Sequence, residues 1–589
     1  MVIGWSACAF LAGALWPAFA QAQAVPGATR EEILRGRQDQ QVPSQGQPLG
    51  IDSEIERAPC PLASPEFAGI TFQLARVEFT NLGPVDAADL NSSYSDFVGQ
   101  TVPISAICDI RDRAATYLRA QGYVAAVQVP PQQIDQGIVR LDVLMARMAQ
   151  VQVRGDAGPS EPLLRRYIEK ISSQPVFNIL VAERYLLLAR DIPGLDVRLA
   201  LRPLDGAPGE VIGEFAVVRV PIYADLTVQN YGTQAVGRYG ALARLRINGL
   251  TGLGDETTLS AFSTLEFREQ QVLQASHDFR VGGEGLTLGG DFTYSWSDPD
   301  IVGGNFSAET LVAGVRATYP IIRSQASNLF GTAGFEYIDQ SVDFGPLPLT
   351  RDTLSVGYVR LLYGAIAPAS VTGRDGFSAI EPQWAFNAGL ELRQGMDIFG
   401  ASKGCGPALA RCLLPGAIPP SRIEGDPTAF VLRADARIDY RPDPLVLLSF
   451  APRLQYAPDA LLSYEEISGG NYTIGRGFDP GAIVGDSGLG FRAEVAYGSL
   501  VPKDQASTAI QPFAFFDALW VWNKDTAFNG LNPQRLFSAG AGLRATIGNA
   551  ARADLLVAVP VYDSGLLNRP EDVRILFNLT LQLAPWNLR

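Results

Sequence analysis

Residues 222–589 are dominated by short runs in which apolar and polar side chains alternate. In residues 286–297 the apolar face carries Leu286, Leu288, Phe292, Tyr294 and Trp296, and the polar face carries Thr287, Asp291, Thr293 and Ser295. The same alternation recurs in residues 386–393, 432–440 and 577–583. A period of two residues indicates β-strands, because successive side chains on a strand point to opposite faces.

This alternation fits either a soluble sheet or the wall of a membrane barrel with a polar lumen. Its repetition over residues 222–589, without intervening helical patterns, favours a transmembrane β-barrel. A spanning strand needs about 9–11 residues plus a turn, so the segment has room for the even number of antiparallel strands that such barrels require. The predicted fold class is therefore β-rich, with a C-terminal transmembrane β-barrel.

Two smaller segments precede the barrel. Residues 68–146 predict a strand over residues 72–79, whose alternation is not strict, and a helix over residues 104–121. This helix is expected to end at Gly122, because glycine readily adopts the conformation that follows a helix C-terminus. Further strands are predicted at residues 124–129 and 138–145.

Residues 147–221 repeat this order of elements. The predicted elements are a strand at 149–153, helices at 161–171 and 179–190, and strands at 197–204 and 211–220. Two units of similar length and order predict an internal repeat of two small α+β domains.

The N-terminal segments predict targeting and tethering. Residues 1–24 are apolar and end in small residues, which predicts a signal peptide, with a short membrane anchor as the alternative. Residues 25–67 predict a helix and a linker, and Thr29 with Glu32 forms a capping-box pattern at the start of a helix over residues 30–40. After residue 24 no apolar run reaches the roughly 18 residues of a transmembrane helix.

Net charge and cysteine content limit which partners and which cellular compartment are expected. The net charge of −14 argues against a nucleic-acid-binding protein. Of the five cysteines, Cys8 lies in the predicted signal peptide. The others suit two disulfide bonds in an oxidising compartment, Cys60–Cys108 and Cys405–Cys412. A metal site is the alternative for the second pair, although the single histidine, His277, is distant in sequence.

The most specific pattern is an arginine in a glycine-rich loop, followed by an aspartate in an aromatic strand. The loop spans residues 464–490 and places Arg476 between Gly475 and Gly477, which leave room for the arginine in a narrow space. The strand "FAFFDALWVW" has Asp517 at its centre. Because an aspartate buried among aromatic residues needs a cation, we predict an inserted loop held by an Arg476–Asp517 pair. On residue types alone, an exposed arginine and an aspartate facing lumen water remain the alternative.

These motifs resemble those of the BamA superfamily and, within it, the TpsB transporters. Gly475-Arg476-Gly477-Phe478 is similar to the loop motif V/I-R-G-Y/F, with Gly475 as the departure, and Phe515-Phe516-Asp517 is similar to the strand motif F-x-D. Residues 104–145 resemble the first POTRA domain of TpsB proteins such as FhaC and the haemolysin exporters. The resemblance implies two POTRA domains, at 68–146 and 147–221, sixteen barrel strands, and a pore-plugging helix within residues 25–67.

The same resemblance implies an outer-membrane transporter of a two-partner secretion system. Its POTRA domains are expected in the periplasm of a Gram-negative cell, where they capture an unfolded TpsA-type exoprotein by strand addition to a sheet edge. The exoprotein then crosses through the barrel. Outer-membrane lipid is the other expected partner, and the chain is expected to act as a monomer without cofactor, metal or nucleic acid.

Two other classes of function remain as alternatives, a BamA-like insertion factor and a passive porin. An enzyme is not expected. The sequence "GDSG" at Gly485–Gly488 is similar to a serine-protease signature, but that chemistry needs a histidine base within reach of the serine. His277 lies instead in an ordinary strand-like segment. We therefore predict no catalytic residues.

Overall fold

The structure is a computed structural model of the chain. It describes residues 29–34, 60–204, 208–233, 235–301, 304–373, 375–504, 506–525, 531–563 and 573–585. The predicted signal peptide (1–24), most of the predicted linker and the end of the predicted N-terminal helix lie outside the described residues. In the described part of the chain, no helix has the length and apolar character needed to cross a membrane.

The two N-terminal units contain short helices and small sheets. Their helices are α1 (Arg30–Ile33), α2 (Ala106–Ala120), α3 (Glu161–Ser172) and α4 (Ile179–Arg190). Their strands are β1 (Thr71–Gln73), β2 (Arg76–Thr80), β3 (Thr101–Pro103), β4 (Ala125–Gln128), β5 (Ile138–Met145), β6 (Arg147–Arg154), β7 (Leu195–Pro203) and β8 (Glu210–Arg219). Short 3-10 helices lie at Pro61–Ala63, Pro65–Phe67, Ala87–Ser93, Ser95–Phe97 and Gly158–Ser160.

Both units have the same sheet topology. In the first sheet β5 lies between β2, which runs parallel to it, and β4, which runs antiparallel. In the second sheet β8 lies between parallel β6 and antiparallel β7. The predicted internal repeat is thus visible as two sheets with one connectivity.

Helix α2 and strand β5 form the core of the first unit, as their patterns predicted. The helix buries Ile107, Ile110 and Leu118 on one face, and β5 buries Val139 and Leu141 against them. These spacings match the 3.6-residue period of a helix and the two-residue period of a strand. Their burial removes apolar surface from water and is the main force that holds the unit together.

The strand predicted over residues 72–79 is two strands, β1 and β2. Leu74, between them, exchanges backbone hydrogen bonds with Gln100 and Gly99, on the chain leading into β3. Ala75 then donates to the carbonyl of Gly137, on the chain leading into β5. The chain changes its pairing partner here, so the regular alternation breaks.

The remaining chain forms the predicted barrel. Its strands are β9 (Ile222–Gln229), β10 (Gly240–Asn248), β11 (Glu256–Thr264), β12 (Gln270–Val281), β13 (Leu286–Ser297), β14 (Asp300–Ile301), β15 (Gly304–Arg323), β16 (Ser327–Phe344), β17 (Leu347–Ile366), β18 (Trp384–Gly395), β19 (Phe430–Asp443), β20 (Val446–Tyr456), β21 (Ile467–Gly469), β22 (Ile483–Gly485), β23 (Ser487–Tyr497), β24 (Thr508–Trp522), β25 (Gln534–Ile547), β26 (Ala551–Asp563) and β27 (Arg574–Ala584). A short helix, α5 (Pro368–Val371), precedes β18, and 3-10 helices lie at Pro407–Leu409 and Ser463–Glu465.

Sixteen antiparallel strands form the wall, and the last, β27, pairs with the first, β9, to close it. Among the described strands, the two-residue β14 pairs with β15, and β21 and β22 form a separate two-stranded sheet. The predicted fold class is confirmed. Closure matters because backbone groups within a lipid bilayer must find their hydrogen-bond partners inside the protein.

The wall alternates between lumen and lipid as the sequence pattern predicted. In β24 the side chains of Phe516 and Trp522 are 40% and 36% exposed on the outer face, whereas Asp517 on the inner face is fully buried. The lumen is therefore filled by other parts of the chain.

Candidate functional site in the barrel lumen

A long loop folds back into the barrel between β20 and β23. This inserted loop spans residues 457–486, whereas the sequence predicted residues 464–490. The difference arises because Ser487–Gly490 already pair with β20 and β24 as the start of wall strand β23. Within the loop, β21 and β22 form a short antiparallel stem. Most of its residues are buried.

Arg476 and Asp517 lie together where the loop tip meets the wall. The guanidinium donates from Nε to Oδ2 at 3.0 Å and from Nη2 to Oδ1 at 2.7 Å, a two-point contact. The backbone N–H of Arg476 also donates to Oδ2 at 3.0 Å. Burial alone lowers the pKa of Arg476, and the hydrogen bond and charge of Asp517 outweigh this and raise it, so the arginine stays charged.

The pair belongs to a larger cluster that the sequence analysis missed. Arg476 also donates to Glu494 on β23 at 3.0 Å, and Glu494 in turn pairs with Arg544 on β25. The Arg476 guanidinium lies 3.6 Å above the centre of the Phe515 ring, and that of Arg544 lies 4.0 Å above the next aromatic ring, Phe513. The alternation of β23 places Glu494 on the lumen face and so could have identified it as a candidate partner.

The other motif residues shape the close approach of the loop to the wall. Gly475 has a positive φ of 115°, which glycine tolerates, and a side chain there would clash with Leu536. A Cβ on Gly477 would lie 3.0 Å from the backbone nitrogen of Pro560, so the chain touches the wall here. Phe478 is buried among apolar side chains of the stem and the wall. These contacts seat the loop tip at one position.

The N-terminal turn α1, the lumen helix (Arg30–Ile33), lies inside the barrel. Thr29 and Glu32 form the predicted capping box at its start. Ile33 packs on lumen-facing apolar residues of β15, β16 and β17 and on Leu462 of the inserted loop. Glu31 pairs with Arg453 of the wall at 2.6 Å and accepts from Ser468 of the loop at 2.8 Å.

Glu31 is thus ionised inside the barrel. Burial raises the pKa of Glu31, but Arg453 and Arg30 reverse the effect and lower it below its usual value. The helix is consequently fastened by charge to both the wall and the loop.

A second buried network centres on Arg393 of β18, which is 1% exposed. Its guanidinium contacts Glu336 and Glu465 at 2.7 Å each. Glu465 belongs to the inserted loop and also accepts from Arg433 at 2.9 Å. Glu391, which also contacts Arg393, lies 3.9 Å from Arg30 of the lumen helix, measured from Oε1 to Nη2. One network of ion pairs therefore connects the wall, the inserted loop and the lumen helix.

Ser487, His277 and the paired cysteines, which the sequence also singled out, lie outside these networks. The structure contains the disulfide bonds Cys60–Cys108 and Cys405–Cys412. Ser487 donates to the carbonyl of Ala457, and His277 on β12 bonds to Thr257, so neither is arranged as a protease pair. Among the described residues no group of three or more His, Cys, Asp or Glu side chains could hold a metal ion.

The second N-terminal unit is docked on the turns at one end of the barrel. Arg323 at the end of β15 donates to both oxygens of Asp191 at 2.7 and 2.8 Å. Glu183 accepts from the backbone N–H of Gln325 in the next turn. The inserted loop, which follows the far end of β20, enters from the opposite rim.

Strand β6 forms a free edge of the second sheet, because it pairs only with β8 among the described strands. Val153 pairs with buried Phe215 and so lies on the face that the helices cover. Nevertheless Val151 and Val153 are 39% and 44% exposed. We call strand β6, together with these two exposed apolar side chains, the edge groove.

Two segments of the chain match known protein families. Residues 375–545 match the family described as haemolysin secretion/activation protein ShlB/FhaC/HecB, and residues 72–145 match the ShlB-type POTRA domain. The first match covers the inserted loop, Arg476 and Asp517. The second covers the sheet and helix of the first N-terminal unit.

Individual relatives are similar over parts of the chain. The heme/hemopexin transporter protein HuxB of Haemophilus influenzae is 23% identical over 321 residues, covering 52% of this chain and 55% of HuxB. The outer membrane transporter CdiB of Escherichia coli is 21% identical over 246 residues, covering 41% of this chain and 40% of CdiB. The chain thus aligns with about half the length of the curated relatives it matches.

The similarity of fold to solved structures extends over most of the chain. The solved structure of CdiB from Escherichia coli superposes with a TM-score of 0.72 at 15% identity, covering 96% of this chain and 98% of CdiB. A BamA structure from Haemophilus ducreyi superposes with a TM-score of 0.51 at 12% identity, covering 87% of this chain and all of that structure. At such low sequence identity, these superpositions show a similarity of fold and nothing about activity.

Proposed function

We propose that this chain, which carries the ShlB-type POTRA domain and the barrel segment of the haemolysin secretion/activation protein family, exports an unfolded exoprotein as the transporter of a two-partner secretion system. The observation that carries the proposal is a lumen filled by the chain's own helix and loop, above two POTRA-type sheets. A porin needs an open lumen instead, and strand-binding domains would add nothing to its diffusion path.

The chain lies in an outer membrane, with its POTRA domains in the periplasm. The closed antiparallel barrel presents apolar side chains outward to lipid. Because the second POTRA unit contacts the turns at one rim, that rim is periplasmic and the entrance of the inserted loop is extracellular.

The edge groove is the proposed point of capture. Strand β6 offers unpaired backbone groups to an extended chain, and Val151 and Val153 offer apolar contact beside them. Main-chain hydrogen bonds bind an extended segment without strict demands on its sequence, which suits an unfolded exoprotein. The captured segment is delivered to the periplasmic rim, where Asp191 and Glu183 hold the domain.

Transport then requires the lumen helix to leave. Glu31 and Ile33 occupy space between the wall and the inserted loop, so an exoprotein and the helix exclude each other. The chain acts as a monomer and without catalysis in this proposal. Folding of the exoprotein outside the cell supplies the driving force.

A comparison of secreted proteins tests the function. Cells lacking the chain are compared with cells that carry it, and the proteins of the medium and cell surface are identified by mass spectrometry. We expect one large exoprotein to disappear while the other outer-membrane barrels keep their levels. A general loss of outer-membrane barrels contradicts the proposal and indicates an insertion factor.

Substitutions in the edge groove test the capture step. Val151→Lys with Val153→Lys places two charges in the groove, so we expect at least a tenfold loss of the secreted exoprotein. The matched control is Val218→Lys, on the opposite face of the same sheet and 60% exposed. Equal secretion by both variants rules out this edge as the capture site.

A further inference from the structure

A long loop at the extracellular rim packs against the inserted loop. This lid loop spans residues 396–429 between β18 and β19 and contains the Cys405–Cys412 disulfide. Strand β17 extends beyond its last pair with β18, Val356 with Gly395, and so exposes a free edge. The lid loop covers that edge. The backbone N–H of Ser402 donates to the carbonyl of Thr353 at 2.8 Å, and the backbone N–H of Arg351 donates to the carbonyl of Pro419 at 3.0 Å.

Arg422 of the lid loop reaches into the mouth and contacts two other extracellular segments. Nη1 contacts Glu466 of the inserted loop at 2.9 Å and also binds Asp486 at the end of that loop. Nη2 contacts Asp525, after β24, at 2.7 Å. Nη1 further donates to the backbone carbonyl of Leu461 at 3.0 Å. We call Arg422, Glu466, Asp486 and Asp525 the latch.

The latch is buried and carries more negative than positive charge. The side chain of Arg422 is 4% exposed, and those of Asp486, Glu466 and Asp525 are 0%, 8% and 11% exposed. Burial raises the pKa of Glu466 to about 7 despite the opposing charge of Arg422. Without the guanidinium, the acidic groups of Glu466, Asp486 and Asp525 would be left without a cation in a poorly solvated space.

The lid loop also rests on the parts that fill the lumen. A Cβ on Gly425 would lie 2.7 Å from Leu462, so the lid backbone touches this residue of the inserted loop. Leu462 packs in turn on Ile33 of the lumen helix. The lid loop, the inserted loop and the lumen helix therefore pack on one another in that order, and the latch holds the outermost of them.

From this arrangement we propose that Arg422 is a positioning residue that latches the extracellular lid onto the inserted loop and keeps the mouth closed until an exoprotein emerges. The proposal rests on the proposed function and adds a second closure, on the extracellular side, to the lumen helix on the inner side. An exoprotein leaving through the mouth must part the lid loop from the inserted loop, and the contacts that it breaks are those of Arg422.

Accessibility of the mouth tests the latch without an exoprotein. Ala457 is fully buried beneath the lid, next to Leu461. In full-length protein in whole cells, Ala457→Cys is exposed to a membrane-impermeant maleimide. We expect Arg422→Gln to raise its labelling rate at least tenfold, because the lid is released. An unchanged rate overturns the proposal.

A matched variant controls for loss of a buried arginine. Arg441 is 9% exposed in its pair with Glu381 and lies at the periplasmic end of β19, so Arg441→Gln should leave the labelling rate unchanged. Heat-modifiable mobility on electrophoresis establishes that each variant retains a folded barrel. Asp525→Asn, which removes one carboxylate from the latch, is a milder second variant and is expected to raise the rate by a smaller factor.

A reversible cross-link tests whether the latch opens during secretion. The backbone N–H of Ser463 donates to Oγ of Ser421 at 3.1 Å, so Ser421→Cys with Ser463→Cys joins lid and inserted loop. Secretion of the exoprotein identified by the comparison above should stop in the oxidised form and return on reduction. Equal secretion in both forms overturns the latch, whereas no secretion by the reduced form and by the unmodified chain contradicts the proposed function.

Discussion

At the scale of single residues, the lumen places guanidinium groups where carboxylates of different elements meet. Arg476, Arg393 and Arg422 each contact acidic side chains from at least two separate segments. A planar guanidinium with five N–H donors can serve several carboxylates at once, which a lysine ammonium cannot do in the same geometry. These arginines therefore determine how the segments fit together.

The Arg476–Asp517 pair gives a residue-scale prediction. Arg476→Ala leaves Asp517 buried without its cation, which typically costs about 3–5 kcal/mol. The double variant Arg476→Ala/Asp517→Ala should lose less stability than the sum of the single variants. Urea unfolding in detergent, followed by heat-modifiable mobility, measures the coupling free energy.

Arg437→Ala is the control for this cycle. Arg437 is half exposed in its pair with Asp439, so its removal should cost at most about 1 kcal/mol. A loss at Arg476 no larger than that at Arg437 shows that the buried pair does not hold the loop. If the losses of unfolding free energy in the two single variants simply add up in the double variant, Arg476 and Asp517 do not stabilise each other.

At the scale of elements, the lumen helix depends on its surroundings. Its described turn is too short to persist alone, because nucleating a helix is costly. Glu31 and Ile33 supply the tertiary contacts, to Arg453 and Ser468 and to the apolar lumen cluster. Changes in these contacts should therefore alter the occupancy of the lumen rather than the barrel itself.

Glu31→Ala is the corresponding prediction. Removing the carboxylate leaves Arg453 unpaired and frees Ser468, so the helix should leave the lumen more often. Single-channel recordings in planar bilayers should show more frequent openings than the wild type, and deletion of residues 25–42 sets the fully open level. Glu309→Ala, at an outer-face residue paired with Tyr294, is the control. Equal opening frequencies in Glu31→Ala and the wild type refute the role of Glu31.

At the scale of the whole molecule, the second POTRA unit and the barrel form a polar interface that combines charge and shape. Asp191 accepts a two-point contact from Arg323, and Arg323 also donates to Asn328 at 2.7 Å. Leu188 lies against the turn at Gly285, where a Cβ would come within 2.6 Å of it. These contacts fix the position of the second POTRA unit on the rim of the barrel.

Asp191→Ala is expected to loosen this interface. Arg323 loses its carboxylate, so spin labels on the POTRA unit and the barrel should show a broader distance distribution, and secretion should fall severalfold. Lys170→Ala is the control, since Lys170 and Glu284 are about half exposed and contribute little. Unchanged distances in Asp191→Ala refute a docking role for this residue.

Local patterns predicted much of the fold because they reflect local physics. The two-residue period of β24 placed Asp517 in the lumen and Phe516 outside, since lipid requires apolar side chains on one face only. Helix α2 and strand β5 followed from their own periodicities. The break at Leu74 was less visible, because it depends on a change of partner strand that no local pattern records.

The sequence by itself thus determined the strand alternation, the repeat of the small sheets, and the arginine of the loop tip with the aspartate of the wall that it meets. Only the tertiary structure decided which charges meet. Glu494 joined Arg476 through the register of β23 against β24, and Arg422 met Glu466 and Asp486 because the lid loop folds over the inserted loop. Such pairings depend on segments far apart in the chain, and their energies arise only after folding excludes water from between them.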